Sequence, residues 1–346
     1  MPRIQFRNTA FKSKESLLQL SYLTHKHRMA NEYRTKVRAQ QQDLPAPPGG
    51  DSQSLESSEP HGNSPDLSDM WIDDTHVWIK ASLPEDSPCL LTGVAVVGHY
   101  IVVCDNENKT VKVFRVDGKF KEELFLTDPC GICVLPNSTN VAITEPEIKQ
   151  ITICSLEGDI ELKFSIKHEK KYQCITTHTD TYMVGCSDIA NPCIDFINND
   201  GTILRTIDRD AKGERIFRNP TSLACLQSGE ILISDPGTSS IICLKADGQV
   251  RYRLESQGRP SAVYGDVMGR LYMAHYDSNE VYRLQSSGAI DSSVVDQTFK
   301  LKHPLAMCVH NDWLVVTEET PSDRILVVKV PQVLSYSDLY IFSGHL

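Results

Sequence analysis

The chain has 346 residues, of which 40% are hydrophobic and 23% charged, and a net charge of -10. This composition can bury a core, which excludes wholesale disorder, and the acidic balance excludes a wholly basic nucleic-acid binder while leaving room for a local basic patch. No apolar run reaches the roughly 18–20 residues of a spanning helix, and MPRIQFRNTAFKSKE at the start lacks the apolar stretch of a secretory signal.

Residues 1–45 carry nine Lys/Arg against three acids. A helix is expected over 16–41, opened by a capping box at Ser16-Leu-Leu-Gln19. His25-Lys26-His27-Arg28 interrupts its apolar stripe, so it reads as a solvated helix, with a nucleic-acid or membrane-surface contact as the alternative. Residues 46–75 are rich in Ser, Pro, Gly and acids. Such a segment buries too little surface to fold and is expected to be a disordered linker.

From residue 76 to 346 the sequence repeats. Acid-Gly or Ser-Gly pairs end at Gly118, Gly158, Gly201, Gly248 and Gly288, spaced 40, 43, 47 and 40 residues apart. Gly tolerates the positive φ of tight hairpins, so each pair marks a turn between strands. Apolar residues recur in register around each Gly. Phe120, Ile160, Ile203, Val250 and Ile290 stand two residues after it, and Val111, Ile151, Ile194, Ile241 and Val281 stand seven before. Upstream, each copy has a second strand (YIVVC, NVAIT, YMVGC, EILIS, RLYMA) and, in most copies, a Pro- or Gly-led innermost strand (TGVAVV, PCGICVL, NPTSLACL, RPSAVY, HPLAMCV). Four strands per copy and six copies predict an all-β fold, a six-bladed β-propeller. The sixth copy lacks an outer strand. His76-Val-Trp-Ile-Lys-Ala81 is expected to supply it and close the ring, with Leu339-Tyr-Ile-Phe342 as a rival.

Eleven cysteines are scattered through apparent strands, an odd count that points to reduced thiols and a cytoplasmic setting. Cys130-Gly-Ile-Cys133 has redox or zinc-knuckle spacing, but no second pair accompanies it, so these residues are expected to pack as buried hydrophobes.

Leu232-Ile-Ser-Asp235-Pro-Gly-Thr-Ser-Ser-Ile-Ile-Cys-Leu-Lys-Ala-Asp247-Gly248 and Val102-Val-Cys-Asp105-Asn106-Glu-Asn108-Lys-Thr-Val-Lys-Val-Phe-Arg-Val-Asp117-Gly118 resemble NHL repeats. The resemblance covers about residues 88–330 and is to the C-terminal propeller of tripartite-motif (TRIM) proteins. It implies the substrate-recognition end of a ubiquitin-ligase system. No RING or B-box pattern precedes the repeats in this sequence, so ligase activity is not carried over.

Successive blade strands run antiparallel, so the loops from strand two to three and from strand four to the next blade share one face. Asp105, Glu145, Asp188, Asp235, His275 and Glu318 end the second strands there. They read as a cation or basic-partner site, or as turn-fixing residues that accept backbone N–H bonds; the second reading is preferred. The longest inter-blade linker, 208–218, and the neighbouring 167–172 form a mixed rim on this face. Tyr172, Arg215, Phe217 and Arg218 are its candidate anchors, because aromatic and Arg residues dominate interface hot spots.

No Gly-rich phosphate loop or nucleophile-elbow motif is present, and no catalytic residues, metal site or cofactor are expected. The expected function is a non-catalytic module that binds a protein or peptide on this loop face. RNA binding is the alternative, and a metal-dependent hydrolase or lyase ranks below it. No membrane contact is expected, and the oligomeric state is left open.

Overall fold

The computed structural model describes residues 76–330 apart from 179, 180, 187, 189, 267 and 320–322. The basic N-terminal segment, the acidic linker and the rival closing strand at 339–342 lie outside the described residues. Six four-stranded antiparallel sheets account for every described strand. The first strand, β1 (His76–Lys80), stands apart in sequence from the sheet it completes. Blade 1 follows as β2 (Leu91–Val97), β3 (Tyr100–Asp105), β4 (Thr110–Arg115) and β5 (Phe120–Phe125). Blade 2 is β6 (Ile132–Val134), β7 (Asn140–Glu145), β8 (Gln150–Ser155) and β9 (Glu161–Lys167). Blade 3 is β10 (Tyr172–His178), β11 (Thr181–Cys186), β12 (Cys193–Ile197) and β13 (Ile203–Ile207). Blade 4 is β14 (Ser222–Cys225), β15 (Ile231–Asp235), β16 (Ser240–Leu244) and β17 (Val250–Glu255). Blade 5 is β18 (Pro260–Gly265), β19 (Leu271–His275), β20 (Glu280–Leu284) and β21 (Ile290–Val295). Blade 6 is β22 (Pro304–His310), β23 (Trp313–Glu318) and β24 (Arg324–Lys329), with β1 as its outer strand.

The innermost strands β2, β6, β10, β14, β18 and β22 each touch the next, and β22 touches β2, so the ring closes. It is the six-bladed propeller expected from the repeat. Six hydrophobic clusters fill the six spaces between neighbouring blades. Both faces of a blade are therefore buried, which is why the second strands read as unbroken apolar runs such as Ile101-Val102-Val103-Cys104, all fully buried. Fully burying one Val or Ile stabilises by about 1.5–3 kcal/mol, and every inter-blade cluster contains at least two.

Ring closure uses the N-terminal strand. His76 pairs with Val328 and Lys80 with Arg324 in an antiparallel register. Ile79 and Ala81 are buried in the cluster between blades 1 and 6. The Arg324 guanidinium lies 4.1 Å over the Trp78 ring, and the Ala81 N–H donates to the Asp323 carbonyl at 2.6 Å.

The repeated glycines differ in what holds them. Gly248 has φ +83°, and a Cβ there would lie 3.0 Å from Ile207 Cδ1 and clash with Arg205 on the preceding blade. Its turn therefore needs both a left-handed backbone and a close approach. Gly158 departs from the expected pattern: it has no left-handed φ, and no atom lies within 4 Å of where its Cβ would sit. Gly248→Val should therefore destabilise the protein by about 1 kcal/mol or more, whereas Gly158→Ala should stay within about 0.5 kcal/mol of the parent in urea unfolding.

Candidate functional site

At the loop face, the strand-end residues close each blade on its own entry segment. Glu145 accepts the Thr127 N–H at 2.8 Å and Glu318 accepts the Lys302 N–H at 2.7 Å. Asp235 accepts the N–H groups of Arg218 and Asn219 at 2.7 and 2.9 Å. Asp105 accepts the Leu90 N–H at 3.1 Å. In each case the carboxylate ends the second strand, and its donor belongs to the chain entering the first. All four carboxylates are buried, so they satisfy backbone donors that would otherwise be orphaned.

Two blades deviate. In blade 5, His275 caps its own turn by accepting the Ser278 N–H at 3.1 Å on Nδ1. Burial lowers its pKa, which favours the neutral imidazole this bond requires. The clamp passes to Asp277, which accepts the Arg259 N–H at 2.7 Å. In blade 3, Asp188 is exposed, lies beyond the end of β11 and accepts the Ala190 N–H at 3.0 Å. It forms a turn and, among the described residues, clamps no entry segment. The buried carboxylate of that blade is Asp195, in the middle of β12. It holds Lys170 Nζ at 2.7 Å and Thr206 Oγ1 at 2.6 Å, and it accepts the Tyr172 hydroxyl at 2.5 Å. Asp195 was missed by the repeat reading; its signal is a charged residue inside the otherwise apolar run Cys193-Ile-Asp-Phe-Ile197.

Lys112 carries the same signal, and its side chain is completely buried. Its ammonium contacts Asp105 Oδ2 at 2.6 Å, Asp86 Oδ2 at 2.5 Å and the Ala81 carbonyl at 3.2 Å. Asp86, Cys89 and Asp105 are spaced as metal ligands could be, but the Lys112 ammonium already sits among them as their cation. Burial alone would raise the Asp105 pKa. The attraction and hydrogen bond of Lys112 outweigh it and hold the carboxyl below its ordinary range. The cluster ties the segment between β1 and β2 to blade 1.

The candidate anchors divide. Tyr172 is fully buried between blades 2 and 3, and Phe217 is buried between blades 3 and 4. They are core residues, which corrects the expectation that both lie on the rim. Tyr172 opens β10 and Phe217 lies in the 208–218 linker, and each side chain fills the space between two blades, so burial outweighs its value as an exposed contact. Arg215 and Arg218 are exposed. Ile216 and Phe217 pin the 208–218 linker into the core and leave these flanking arginines on the surface. Arg215 donates to the Ala190 carbonyl at 2.7 Å, joining the linker to the turn of blade 3. Between the outer strands of blades 3 and 4 the linker walls a groove of about 700 Å³, lined by Arg205, Arg209, Lys212 and Arg253 together with Asp208, Asp210 and Asp247.

Burial pushes the Cys130 and Cys133 thiols up to about 12, so neither is a ready nucleophile. No disulfide joins the described cysteines. Among the described residues no helix is long and apolar enough to cross a membrane.

No family model matches the chain. It is similar to the E3 ubiquitin-protein ligase TRIM56 of Mus musculus, with 21% identity over 247 residues, covering 70% of this chain and 33% of the relative. The Homo sapiens TRIM56 is 19% identical over the same length, covering 70% of this chain and 32% of the relative. The chain therefore spans about a third of the length of these relatives. Among solved structures, virginiamycin B lyase from Staphylococcus aureus superposes with a TM-score of 0.55 at 14% identity, covering 74% of this chain and all of that one. A chain of a nidogen/laminin complex superposes with a TM-score of 0.51 at 18% identity, covering 63% and 84%. These likenesses show the fold alone. The chain is a six-bladed propeller with distant sequence similarity to TRIM56.

Removing the buried ammonium should expose how much the closure depends on it. Lys112→Met leaves Asp105 and Asp86 without their counter-charge and should lose about 3–5 kcal/mol in urea unfolding at neutral pH. Because the folded pKa of Asp105 is depressed, its stabilising contribution is present above the ordinary carboxylate pKa and is lost as pH falls through the folded value. The gap between parent and variant should therefore narrow below about pH 4.

Proposed function

We propose that this propeller is a non-catalytic protein-interaction module that docks a protein or peptide on the face where the inter-blade linkers emerge. The observation that supports this most directly is the division of labour in the 208–218 linker. Ile216 and Phe217 fasten it to the core, while Arg215 and Arg218 remain exposed and Arg215 lines a groove of about 700 Å³. A rigidly held loop loses little conformational entropy on binding, which favours tight docking.

The same face disfavours the RNA reading. Nucleic-acid affinity rests on phosphate contacts. Here Lys171 pairs with Glu147 at 2.7 Å, Arg259 lies 3.5 Å from Asp277, and Arg209 lies 3.5 Å from Asp208. Cations and anions alternate, and among the described residues these pairs break up the basic surface. The strand-end carboxylates of four blades are engaged with backbone N–H groups, which leaves them occupied structurally.

The TRIM56 similarity supports a finer reading. The propeller would select proteins for a TRIM-like ubiquitin-ligase system, with the ligase chemistry supplied outside the matched region.

Charge reversal tests the docking face. Arg215→Glu combined with Arg218→Glu should abolish co-purification of cross-linked partners, while the melting temperature stays within about 2–4 °C of the parent, the shift expected for roughly 1 kcal/mol. Capture by the parent should resist RNase and depend only weakly on salt. A steep loss of capture with salt and sensitivity to RNase would favour RNA instead. Depleting the protein from cells should lower ubiquitination of the captured partner; unchanged ubiquitination would overturn the ligase assignment.

A further inference from the structure

At the channel mouth on the linker face there is a cavity of about 250 Å³ whose lining includes Gln173, Asn219, Arg259, Ser261, Tyr276 and Glu319. Among the described residues Arg259 is the cation of its lining, and it sits in a built column. Its guanidinium lies 3.6 Å over the Tyr276 ring, and the far side of that ring stacks on His303 with centroids 4.5 Å apart and planes 5° from parallel. The Tyr276 hydroxyl donates to Glu319 across the space between blades 5 and 6. Asp277 lies 3.5 Å from Arg259 Nε and holds the base of the fork. Neither Nη of Arg259 makes a hydrogen bond to any described residue. The other rim arginines differ, since Arg205, Arg209, Arg215 and Arg253 all donate to backbone carbonyls.

The column is held against a conformational penalty. His303 has φ +43°, in the left-handed region, although it precedes Pro304 and extended backbone is the ordinary choice there. Its N–H is fixed by Asn279 Oδ1 at 2.7 Å, and Asn279 is itself left-handed at φ +61°. Non-glycine residues held in such conformations concentrate at functional sites, where the surrounding structure over-determines them. Here the strained backbone presents the His303 ring to Tyr276, and Tyr276 in turn fixes the plane of Arg259.

We propose that the channel mouth binds a carboxylate carried by an extended peptide, with the Nη groups of Arg259 as its donors. The proposal rests on reading the linker face as a docking face and names what that face selects. A planar guanidinium with both Nη groups unused matches a carboxylate in a bidentate geometry. The cavity is smaller than the roughly 300–1,000 Å³ of small-molecule sites and suits a single side chain or chain terminus. The amide residues Gln173 and Asn219 add uncharged donors around it, while Ser261 Oγ donates to the Ala274 carbonyl at 3.3 Å. Glu319 and Asp277 flank this cation and oppose any incoming anion, so a dianionic phosphate is disfavoured more strongly than a singly charged carboxylate.

The test uses the full chain and short peptides, followed by the Arg259 side-chain Nε–H and the Asn219 amide signals in NMR. Ac-Gly-Glu-Gly-NH2 should shift these signals saturably in roughly the millimolar range, as a single anchoring contact would. Its amide isostere Ac-Gly-Gln-Gly-NH2 should bind about tenfold more weakly or not at all. Ac-Gly-Gly-Gly-OH distinguishes a terminal carboxylate from a side-chain one, because whichever peptide binds more tightly identifies the source. This comparison reads the parent protein, so it does not depend on a variant folding. Arg259→Gln should abolish the response, and Arg259→Lys should retain part of it. His303→Gly relieves the left-handed backbone and removes the ring. It should not lower the melting temperature, yet it should weaken the Glu-peptide response severalfold; an unchanged response would remove His303 from any positioning role. Equal shifts from the Glu and Gln peptides, a response that survives in Arg259→Gln, or tighter binding of a phosphoserine peptide would overturn the proposal. The two readings fail separately. Loss of capture in the Arg215/Arg218 variant without a Glu-peptide response leaves the docking face standing and removes the carboxylate site. Retained capture with a specific Glu-peptide response does the reverse.

Discussion

Pairing of β1 with β24 is the contact on which the rest of the structure depends. Every blade buries both faces against its neighbours, so none has an independent core. An open ring would expose the faces of two blades at once, and a repeat array without caps is not stable at its ends. The chain solves this by completing its last sheet with its first strand, which leaves no terminal blade. The connection between β1 and β2 is then fastened by the buried Lys112, whose ammonium gathers Asp86, Asp105 and the Ala81 carbonyl. A buried ion pair of this kind adds little net stability over apolar packing, but breaking it is costly. Its value here lies in joining three separate segments at one point.

The same economy of buried charge governs the linker face. Each blade must turn sharply where its fourth strand hands over to the next blade's first, and the entering backbone exposes N–H groups inside the fold. A carboxylate at the end of the second strand accepts them, as Glu145, Asp235 and Glu318 do. Hydroxyl groups one residue earlier add a second tier between blades. Ser234 Oγ donates to the Pro260 carbonyl at 2.7 Å, and Thr317 Oγ1 donates to the Leu91 carbonyl at 2.8 Å, the latter across the closure itself. These bonds hold the blades in register independently of the hydrophobic contacts, which are non-directional.

With the inner layer so occupied, the exposed cations of this face stand on the rim. The linker at 208–218 and the column of Arg259, Tyr276 and His303 follow one rule. A buried or stacked group fixes the backbone, and the neighbouring cation is presented outward. Arg215 and Arg218 flank the buried Ile216 and Phe217, and Arg259 rides on a tyrosine that is itself hydrogen-bonded to the next blade. Such pre-organised side chains lose little freedom on binding.

By itself the sequence determined the all-β fold, the number of blades and the position of the hairpins, and it left two candidate strands for closing the ring. These properties repeat every forty or so residues, and a local pattern repeated in register averages out the accidents of any one copy. The strand-end carboxylates of blades 1, 2, 4 and 6 recur at one offset in the sequence, because the clamp is part of the repeat. Only the tertiary structure decided what does not repeat. It placed Tyr172 and Phe217 inside the core, since whether an aromatic side chain in a linker turns in or out depends on the volume left between two particular blades. It moved the blade 5 clamp from His275 to Asp277 and the buried acid of blade 3 from Asp188 to Asp195, because a carboxylate satisfies whichever donors the local backbone leaves unpaired. It also brought Arg259, Tyr276 and His303 into one column, from positions up to 44 residues apart in the chain. Their meeting follows from adjacent blades sharing a rim, a relation that exists only once the ring has closed.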